Sequence, residues 1–258
     1  MPLWKLARPF AAASFAAIAA LAVPAASASA QIHVYQLTTS LSDIYGGPSL
    51  VANGGVRSSS GYTFGANQGL SLSSVFSASA SYSIAIRSMY TSVNTFRLGY
   101  RKMVDFKDMS ADAGWYDRTG GIAEFWPAGT GGAPYTENVM DFTVLTRSAA
   151  TKEFNAYVNG NQSLTFTDVG DDATFSGING IARFFEDDVL SRQIEEAAGV
   201  VTYIAVYDRV LSATEVSQLG EVVATPEPAP IVLLVTGLVG LGIVARRRRG
   251  APSTAAHS

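Results

Sequence analysis

The sequence predicts an all-β fold, built as a two-sheet antiparallel sandwich or jelly roll. The central part of the chain consists of short runs in which apolar and polar residues alternate, as they do in strands with one buried face. Turns rich in Gly and Ser separate these runs and recur often enough for about a dozen strands. Helical periodicity is almost absent, so a sandwich explains the pattern better than a fold with many helices.

The first 30 residues are typical of a secretory signal peptide. Lys5 and Arg8 give a positive start, and Phe10–Val23 is an apolar run of 14 residues. That run is shorter than the ~20 residues that a membrane-spanning helix needs. A site of the small-x-small type follows and ends at Ala30. We therefore expect signal peptidase to cleave between Ala30 and Gln31.

The predicted strands follow within residues 31–225. They are rich in Val, Ile, Tyr and Phe, the residue types that favour strands. Asn159-Gly160 is the strongest hairpin signal in the chain, because this pair supplies the positive φ angles of a tight turn. The main predicted strands are 32–37, 82–88, 96–101, 140–145, 154–158 and 200–207, with a return strand that contains Leu164 and Phe166.

Aromatic side chains are concentrated around one predicted hairpin, which turns at Gly120-Gly121. The candidate ligand-binding residues here are Trp115, Tyr116 and Trp126, because aromatic rings on an acidic surface can stack on sugar rings. The alternative is that these rings pack in the core. Neighbouring residues of a strand point to opposite faces, so only one of Trp115 and Tyr116 can be exposed.

The densest acidic cluster follows the apolar run Ile181–Phe185. It consists of Glu186, Asp187 and Asp188. Calcium binds six to eight oxygen ligands, so carboxylates at a strand end beside a loop are suitable for it. Calcium is therefore the one cofactor that the sequence suggests. The alternative is a solvated turn with a high density of negative charge.

Composition excludes several classes of function. Residues 31–225 contain 12 Lys and Arg against 20 Asp and Glu, so nucleic-acid binding is not expected. The chain has no Cys, which excludes disulfides and thiolate catalysis. A catalytic triad would have to use His33, which lies near the expected mature N-terminus. Arg101 and Lys102 are interpreted as ordinary surface charges.

One helix is predicted near the end of this segment. Ser212 and Glu215 form a capping box, and Val216 and Leu219 form a small apolar stripe before Gly220. The surrounding sequence, 206–219, resembles the close of concanavalin A-like, laminin-G-type domains, and 157–160 is similar to a hairpin turn in the middle of such domains. The resemblance implies a two-sheet jelly roll that binds glycans or proteins, often with calcium.

Some relatives of that fold are glycosidases. The retaining enzymes among them carry a Glu-x-Asp-x-Glu strand that points alternate carboxylates into a cleft. The acidic runs at 186–188 and 195–196 do not have this spacing. We therefore expect a protein that is not an enzyme, with a glycoside hydrolase as the least favoured alternative.

The C-terminal end resembles the PEP-CTERM sorting signal of Gram-negative bacteria. Its apolar run, Ala229–Ala245, is 17 residues long, about 25 Å as a helix, and the arginines after it favour a cytoplasmic end. The resemblance implies processing by an exosortase-type enzyme. The residues that carry it are Pro226, Glu227 and Pro228 before the run, and Arg246, Arg247, Arg248 and Arg249 after it.

These observations predict four segments: a signal peptide (1–30), a laminin-G-like sandwich (31–225), a sorting signal with a transmembrane helix (226–249) and a polar cytoplasmic tail (250–258). The expected protein crosses the inner membrane, is anchored there transiently by the helix, and then reaches the cell surface or matrix. Its expected function is adhesion to an exopolysaccharide or another glycan. A structural biofilm-matrix protein without a ligand site is the alternative.

Overall fold

The computed structural model describes residues 31–76, 80–92, 99–176 and 180–224. The predicted signal peptide up to Ala30, the Pro-Glu-Pro segment, the C-terminal apolar helix and the Arg cluster lie outside the described residues. Among the helices in the described part of the chain, none combines the length and the apolarity that a membrane crossing requires.

The described residues form fifteen strands and one helix. The strands are β1 (Gln31–Gln36), β2 (Val51–Asn53), β3 (Val56–Ser58), β4 (Gly61–Phe64), β5 (Gly69–Leu72), β6 (Tyr82–Tyr90), β7 (Arg101–Asp105), β8 (Gly114–Arg118), β9 (Ile122–Trp126), β10 (Gly129–Thr130), β11 (Asp141–Arg147), β12 (Glu153–Val158), β13 (Asn161–Thr167), β14 (Ala182–Phe184) and β15 (Gly199–Tyr207). The helix is α1 (Ala213–Ala224).

The strands form two antiparallel sheets, which confirms the predicted all-β sandwich. The eight-stranded sheet has the order β13-β12-β11-β6-β15-β4-β3, and β1 also pairs with β15. The seven-stranded sheet has the order β10-β9-β8-β7-β14-β5-β2. Because β1 pairs with β15, the first and last strands of the described residues lie side by side in one sheet.

The core lies between the two sheets and is strongly aromatic. Phe125 from the seven-stranded sheet packs against Phe154 from the eight-stranded sheet, with ring centroids 4.9 Å apart. Phe154 also contacts Phe166 at 5.0 Å, and Trp115 is fully buried beside them. Each large apolar side chain that is buried in this way contributes about 1.5–3 kcal/mol, so a core of this kind can stabilise the fold without disulfides.

The helix α1 covers the outer face of the eight-stranded sheet. Val216 is buried there in a second apolar cluster that contains Phe142 of β11. The predicted capping box is present, because the Glu215 amide donates to Ser212 Oγ at 3.3 Å and the Ser212 amide donates to the Glu215 carboxylate at 2.9 Å. The helix continues past Gly220, its predicted end, to Ala224.

Both predicted hairpins are confirmed. Asn159 and Gly160 have φ angles of +51° and +80° between β12 and β13, as a tight primed turn requires. The second hairpin joins β8 to β9, with Arg118 opposite Ile122. The strand predicted at 96–101 does not match an observed strand over its length. The strand β7 begins only at Arg101, and part of the predicted range lies outside the described residues.

Candidate functional site

The strands β8 and β9 separate their aromatic residues between two faces of the seven-stranded sheet. Trp115 and Phe125 point inward and belong to the core between the sheets. Their neighbours Tyr116 and Trp126 therefore lie on the outer face, because successive side chains of a strand alternate. The Trp126 side chain ends the strand and is 44% exposed. The outer face of this sheet thus presents an aromatic residue to solvent.

A small, open pocket with a cavity volume of about 70 Å³ lies at this place. Its lining residues come from two strands and three connecting segments: Tyr100, Asp112, Tyr116, Trp126 and Glu195. Tyr116 is buried and forms the bottom of the pocket, and the Tyr100 ring meets it edge to face at 5.3 Å. The pocket therefore combines aromatic rings with two carboxylates.

Hydrogen bonds hold these walls in place. The Tyr116 hydroxyl donates to Asp112 at 2.8 Å, and the Tyr100 hydroxyl donates to Glu124 at 3.0 Å. Arg118 forms an ion pair with Glu124 at 3.0 Å and lies over the Tyr100 ring at 5.7 Å. A pocket with fixed side chains loses little conformational entropy when a ligand binds.

Burial also changes the acidity of two lining residues. It raises the pKa of the Tyr100 hydroxyl to about 12, and the hydrogen bond to Glu124 acts in the same direction. Burial raises the pKa of the Asp112 carboxyl as well, although the Tyr116 hydrogen bond opposes this. The Tyr100 hydroxyl is therefore a neutral donor at physiological pH, and Asp112 is a stronger proton acceptor than an exposed aspartate.

Lys102 lies directly below the pocket, among four carboxylates. Its ammonium nitrogen is 2.6 Å from Asp188, 3.3 Å from both Asp105 and Asp187, and 3.7 Å from Asp112. The ammonium also lies 5.1 Å from the centroid of the Tyr116 ring. We refer to Lys102 and these four acids as the lysine cluster.

The interpretation of Arg101 and Lys102 as ordinary surface charges is wrong, because both side chains are buried and paired with carboxylates. Burial opposes the charge on the ammonium, but the attraction of Asp105, Asp187 and Asp188 outweighs burial and raises the pKa of Lys102. A register shift between Lys102 and Val104 interrupts the alternation of β7. Such bulges redirect side chains in ways that a regular strand pattern does not reveal.

The acidic residues expected to bind calcium do not share one site. Asp187 and Asp188 are fully buried and organise the loop between β14 and β15, since Asp188 accepts hydrogen bonds from the Leu190 and Ser191 amides at 2.7 and 2.9 Å. Glu186 instead pairs with Arg183 at 2.8 Å. The alternative of a solvated turn is wrong for this buried cluster.

Lys102 supplies the positive charge that the calcium prediction assigned to a metal ion. Within the described ranges, no group of three or more metal-ligand side chains is placed to hold a metal. Calcium binding therefore stays a prediction that needs a measurement, and the Lys102 ammonium already stands where a cation would neutralise Asp187 and Asp188.

Trp115, one of the three predicted ligand-binding residues, cannot contact a ligand. Its ring is buried in the core, and its indole N–H donates to the Tyr135 hydroxyl at 2.8 Å. Tyr116 and Trp126 do line the pocket. The sequence analysis missed Asp112 and considered Glu195 only as part of an acidic run, because both residues lie in loops and no local pattern connects positions so far apart in the chain.

No protein-family model matches the chain, and the search of curated proteins finds no match either. Several solved structures are similar. Trypanosoma rangeli sialidase, in complex with 2,3-difluorosialic acid, has a TM-score of 0.55 and 15% identity, over 74% of this chain and 31% of the sialidase. Domain 4 of AbnA, a GH43 extracellular arabinanase from Geobacillus stearothermophilus in complex with arabinotriose, has the same TM-score and identity, over 74% of this chain and 98% of that domain.

The botulinum neurotoxin serotype D binding domain is similar as well, with a TM-score of 0.54 and 11% identity, over 74% of this chain and 51% of that one. Identities this low show a shared β-sandwich fold, and the chain spans less than a third of the sialidase. The expectation that the protein is not an enzyme is not supported, because a sialidase and an arabinanase both contain domains of this fold. The laminin-G and sorting-signal resemblances have no family match behind them.

Proposed function

We propose that the domain binds a carbohydrate in the pocket beside Trp126. The observation that carries this proposal is the convergence of an exposed aromatic ring and two carboxylates, Asp112 and Glu195, on one pocket with fixed walls. Aromatic rings pack against the apolar faces of sugar rings, and carboxylates accept hydrogen bonds from sugar hydroxyls. The fold likeness to an arabinanase domain in complex with arabinotriose adds support.

In this proposal the domain is a concanavalin A-like jelly roll that attaches an exported protein to a glycan of the cell surface or matrix. Export rests on the signal-peptide pattern, and release from the membrane rests on the Pro-Glu-Pro, apolar run and Arg series. The alternative of a matrix protein without a ligand site predicts that no glycan binds in this pocket.

A glycan array followed by calorimetry tests the binding proposal. The purified full-length chain should bind at least one neutral or amino-sugar oligosaccharide reproducibly. Trp126→Ala removes the exposed ring and should weaken binding up to about tenfold. Tyr45→Ala is the matched control, because Tyr45 is 50% exposed and does not line the pocket. Equal affinity of wild type and Trp126→Ala would place the ligand elsewhere.

Glycoside hydrolysis is a second candidate, and one observation favours it. Asp112 and Glu195 line the same pocket, and burial raises the pKa of Asp112 toward the range of a general acid. Release of reducing sugar from a bound oligosaccharide, abolished by Asp112→Asn, would support an enzyme. Binding without any release over many hours would leave carbohydrate binding as the function.

Intact-mass measurement of surface-extracted protein tests the export and sorting part. The mature chain should begin at Gln31 and end near Pro228. A native species that retains the apolar helix, in a strain with an active sorting enzyme, would contradict processing and favour a permanent membrane anchor.

A further inference from the structure

We propose that Asn53 is a site of spontaneous deamidation, a modification that the folded chain carries out on itself with water as the only co-reactant. This inference is independent of the proposed carbohydrate binding. It rests on a difference between two pairs that the sequence makes equivalent and the structure does not, Asn53-Gly54 and Asn159-Gly160. A third Asn-Gly pair begins at residue 179, outside the described residues.

The reaction requires a backbone nitrogen that can reach a free side-chain amide. The Gly54 nitrogen attacks the side-chain carbonyl carbon of Asn53, a new C–N bond forms, and the side-chain amide leaves as ammonia with the proton that the Gly54 nitrogen gave up. Water then opens the cyclic imide at either carbonyl, returns a proton to the nitrogen, and leaves aspartate or isoaspartate without any oxidant or reductant. Glycine favours the attack, because it has no Cβ to shield its nitrogen or restrict the backbone.

The surroundings of Asn53 meet these requirements. Asn53 is exposed at the end of β2, and among the described residues no hydrogen bond holds its side chain. The three side chains of β2 are all exposed, and Gly54 and Gly55 follow this edge strand with φ angles of +70° and +62°. The Gly54 carbonyl accepts a hydrogen bond from the Tyr62 hydroxyl at 2.7 Å, which does not involve the Gly54 nitrogen. Short edge elements with few buried contacts open locally at low free energy, so this nitrogen can turn toward the Asn53 side chain.

Asn159 lacks this freedom, although it also precedes a glycine. Its side-chain nitrogen donates to Asp141 at 2.7 Å, and its side-chain oxygen accepts from the Phe142 amide at 2.9 Å. The Asn159 backbone amide also donates to the Phe142 carbonyl at 2.8 Å. Attack by the Gly160 nitrogen would have to break the side-chain hydrogen bonds inside a hairpin of the eight-stranded sheet. The native fold therefore protects Asn159 and leaves Asn53 reactive.

Deamidation at Asn53 changes both the charge and the backbone of β2. Aspartate adds one negative charge to an exposed position, and isoaspartate also inserts an extra carbon into the main chain. Asn53 lies opposite Gly69 in the pairing of β2 with β5, and β2 is the outermost strand of its sheet. The extra carbon disturbs the pairing only at this edge, so the modified chain should stay folded.

Peptide mapping by mass spectrometry tests the inference on the full-length chain, held in mildly alkaline buffer and sampled over several weeks. The native chain should convert Asn53 at least about tenfold faster than Asn159, because Asn159 must first break its side-chain hydrogen bonds. The mass gain of an amide-to-acid exchange counts both products, and enzymatic methylation specific to isoaspartate separates them.

Two controls separate the fold from the local sequence. In urea, where only neighbouring residues act, Asn53 and Asn159 should react at comparable rates. Asn53→Gln keeps the amide but requires a larger ring that forms more slowly, so this position should stay unmodified over the same period. The inference is overturned if native Asn159 reacts as fast as Asn53, or if Asn53 stays intact in the native chain while it reacts in urea.

Discussion

Single residues determine the chemistry of the pocket, and Lys102 has the largest effect among them. Its ammonium lies within 3.3 Å of Asp105, Asp187 and Asp188 and offsets the mutual repulsion of these three buried carboxyl groups. These carboxylates in turn accept backbone hydrogen bonds that shape the loop above β7. The Lys102 charge thus helps to position Glu195, because Asp187 pairs with Lys102 and accepts a hydrogen bond from the Glu195 amide.

Replacing Lys102 by Met should therefore destabilise the fold strongly. Met retains much of the side-chain volume but leaves buried carboxylates without their cation, which costs about 3–5 kcal/mol. Urea denaturation of the purified chain measures this loss. Lys152→Met is the matched control, because the Lys152–Asp171 pair is exposed on both sides and its loss should change the free energy of unfolding much less.

The Lys102→Met variant also tests whether the carboxylates of the lysine cluster can bind Ca²⁺. Millimolar Ca²⁺ should leave the Tm of the wild-type chain where a chelator leaves it, because Lys102 occupies the cation position. It should raise the Tm of Lys102→Met, since carboxylates without their ammonium can bind the metal. A calcium-dependent Tm in the wild type would instead support the original calcium prediction.

Glu196 makes stability depend on pH. Burial raises its pKa to about 8, and repulsion from Asp187 and Glu186 acts in the same direction. Between the ordinary carboxyl value of about 4.3 and 8, the native state holds a proton that the unfolded chain releases. Stability should therefore fall as pH rises through this window. Burial also raises the pKa of Asp117 to about 6, so this residue lowers stability as well when pH rises through the lower part of the same window.

Glu196→Gln should flatten this dependence, because the amide carries no proton that can be lost. Free energies of unfolding at pH 5, 6, 7 and 8 measure the slope for the wild type and the variant. Glu153→Gln is a control at an exposed carboxylate of β12. A wild-type stability that increases across this pH range would show that Glu196 is ionised in the native state.

At the scale of elements, α1 depends on its N-terminal cap as well as on its apolar contacts. Ser212 and Glu215 satisfy each other's backbone amides, and Arg209 donates to the Glu215 carboxylate at 2.9 Å. The hydrogen bond to Arg209 is the main cause of the fall in the pKa of Glu215 to about 2. The carboxylate therefore remains ionised and keeps capping the helix far into the acid range.

Ser212→Ala should cost about 1 kcal/mol, because the Glu215 amide loses its acceptor at the helix start. Ser217→Ala in the same helix is the matched control. Ser217 is exposed in the helix interior, where Ala is the better helix former, so this change should be neutral or slightly stabilising. Equal denaturation midpoints for the two variants would mean that the cap contributes nothing.

At the scale of the whole molecule, the pairing of β1 with β15 closes the domain. Tyr35 and Leu37 are fully buried at this closure, and the Leu37 amide donates to the Thr202 carbonyl at 3.0 Å. The first strand thus completes the eight-stranded sheet by pairing with β15, the last strand of the described residues. We therefore expect the sandwich to need β1 for its stability.

Residues 31–225 should therefore fold alone, with a far-ultraviolet circular dichroism spectrum dominated by β-structure and a Tm that reductant does not change. The chain has no Cys, and a domain of this size can bury roughly 70% of its unfolded surface. A fragment of residues 38–225 lacks β1 and should not unfold cooperatively, because the edge of β15 and its apolar face are then exposed. Cooperative unfolding of the shorter fragment would contradict this role for β1.

The sequence by itself determined what depends on neighbouring residues. Alternation and turn chemistry gave the all-β class, the Asn159-Gly160 hairpin and the cap of α1, because each rests on interactions within a few positions of the chain. Alternation also required that Trp115 and Tyr116 face opposite sides. It could not say which of the two enters the core, since that depends on which face of the sheet meets the other sheet.

Only the tertiary structure decided the site. Lys102 and Asp188 lie 86 positions apart in the chain, and Asp112 and Glu195 reach the pocket from separate loops. These residues come together because β14 pairs with β7 and because a bulge follows Lys102. Neither feature can be predicted from the local sequence. From the sequence, Lys102 was interpreted as a surface charge, and a solvated turn was one interpretation of Asp187 and Asp188. In the structure these residues form a buried network. Long-range strand pairing removes them from water and brings the lysine next to the two carboxyl groups.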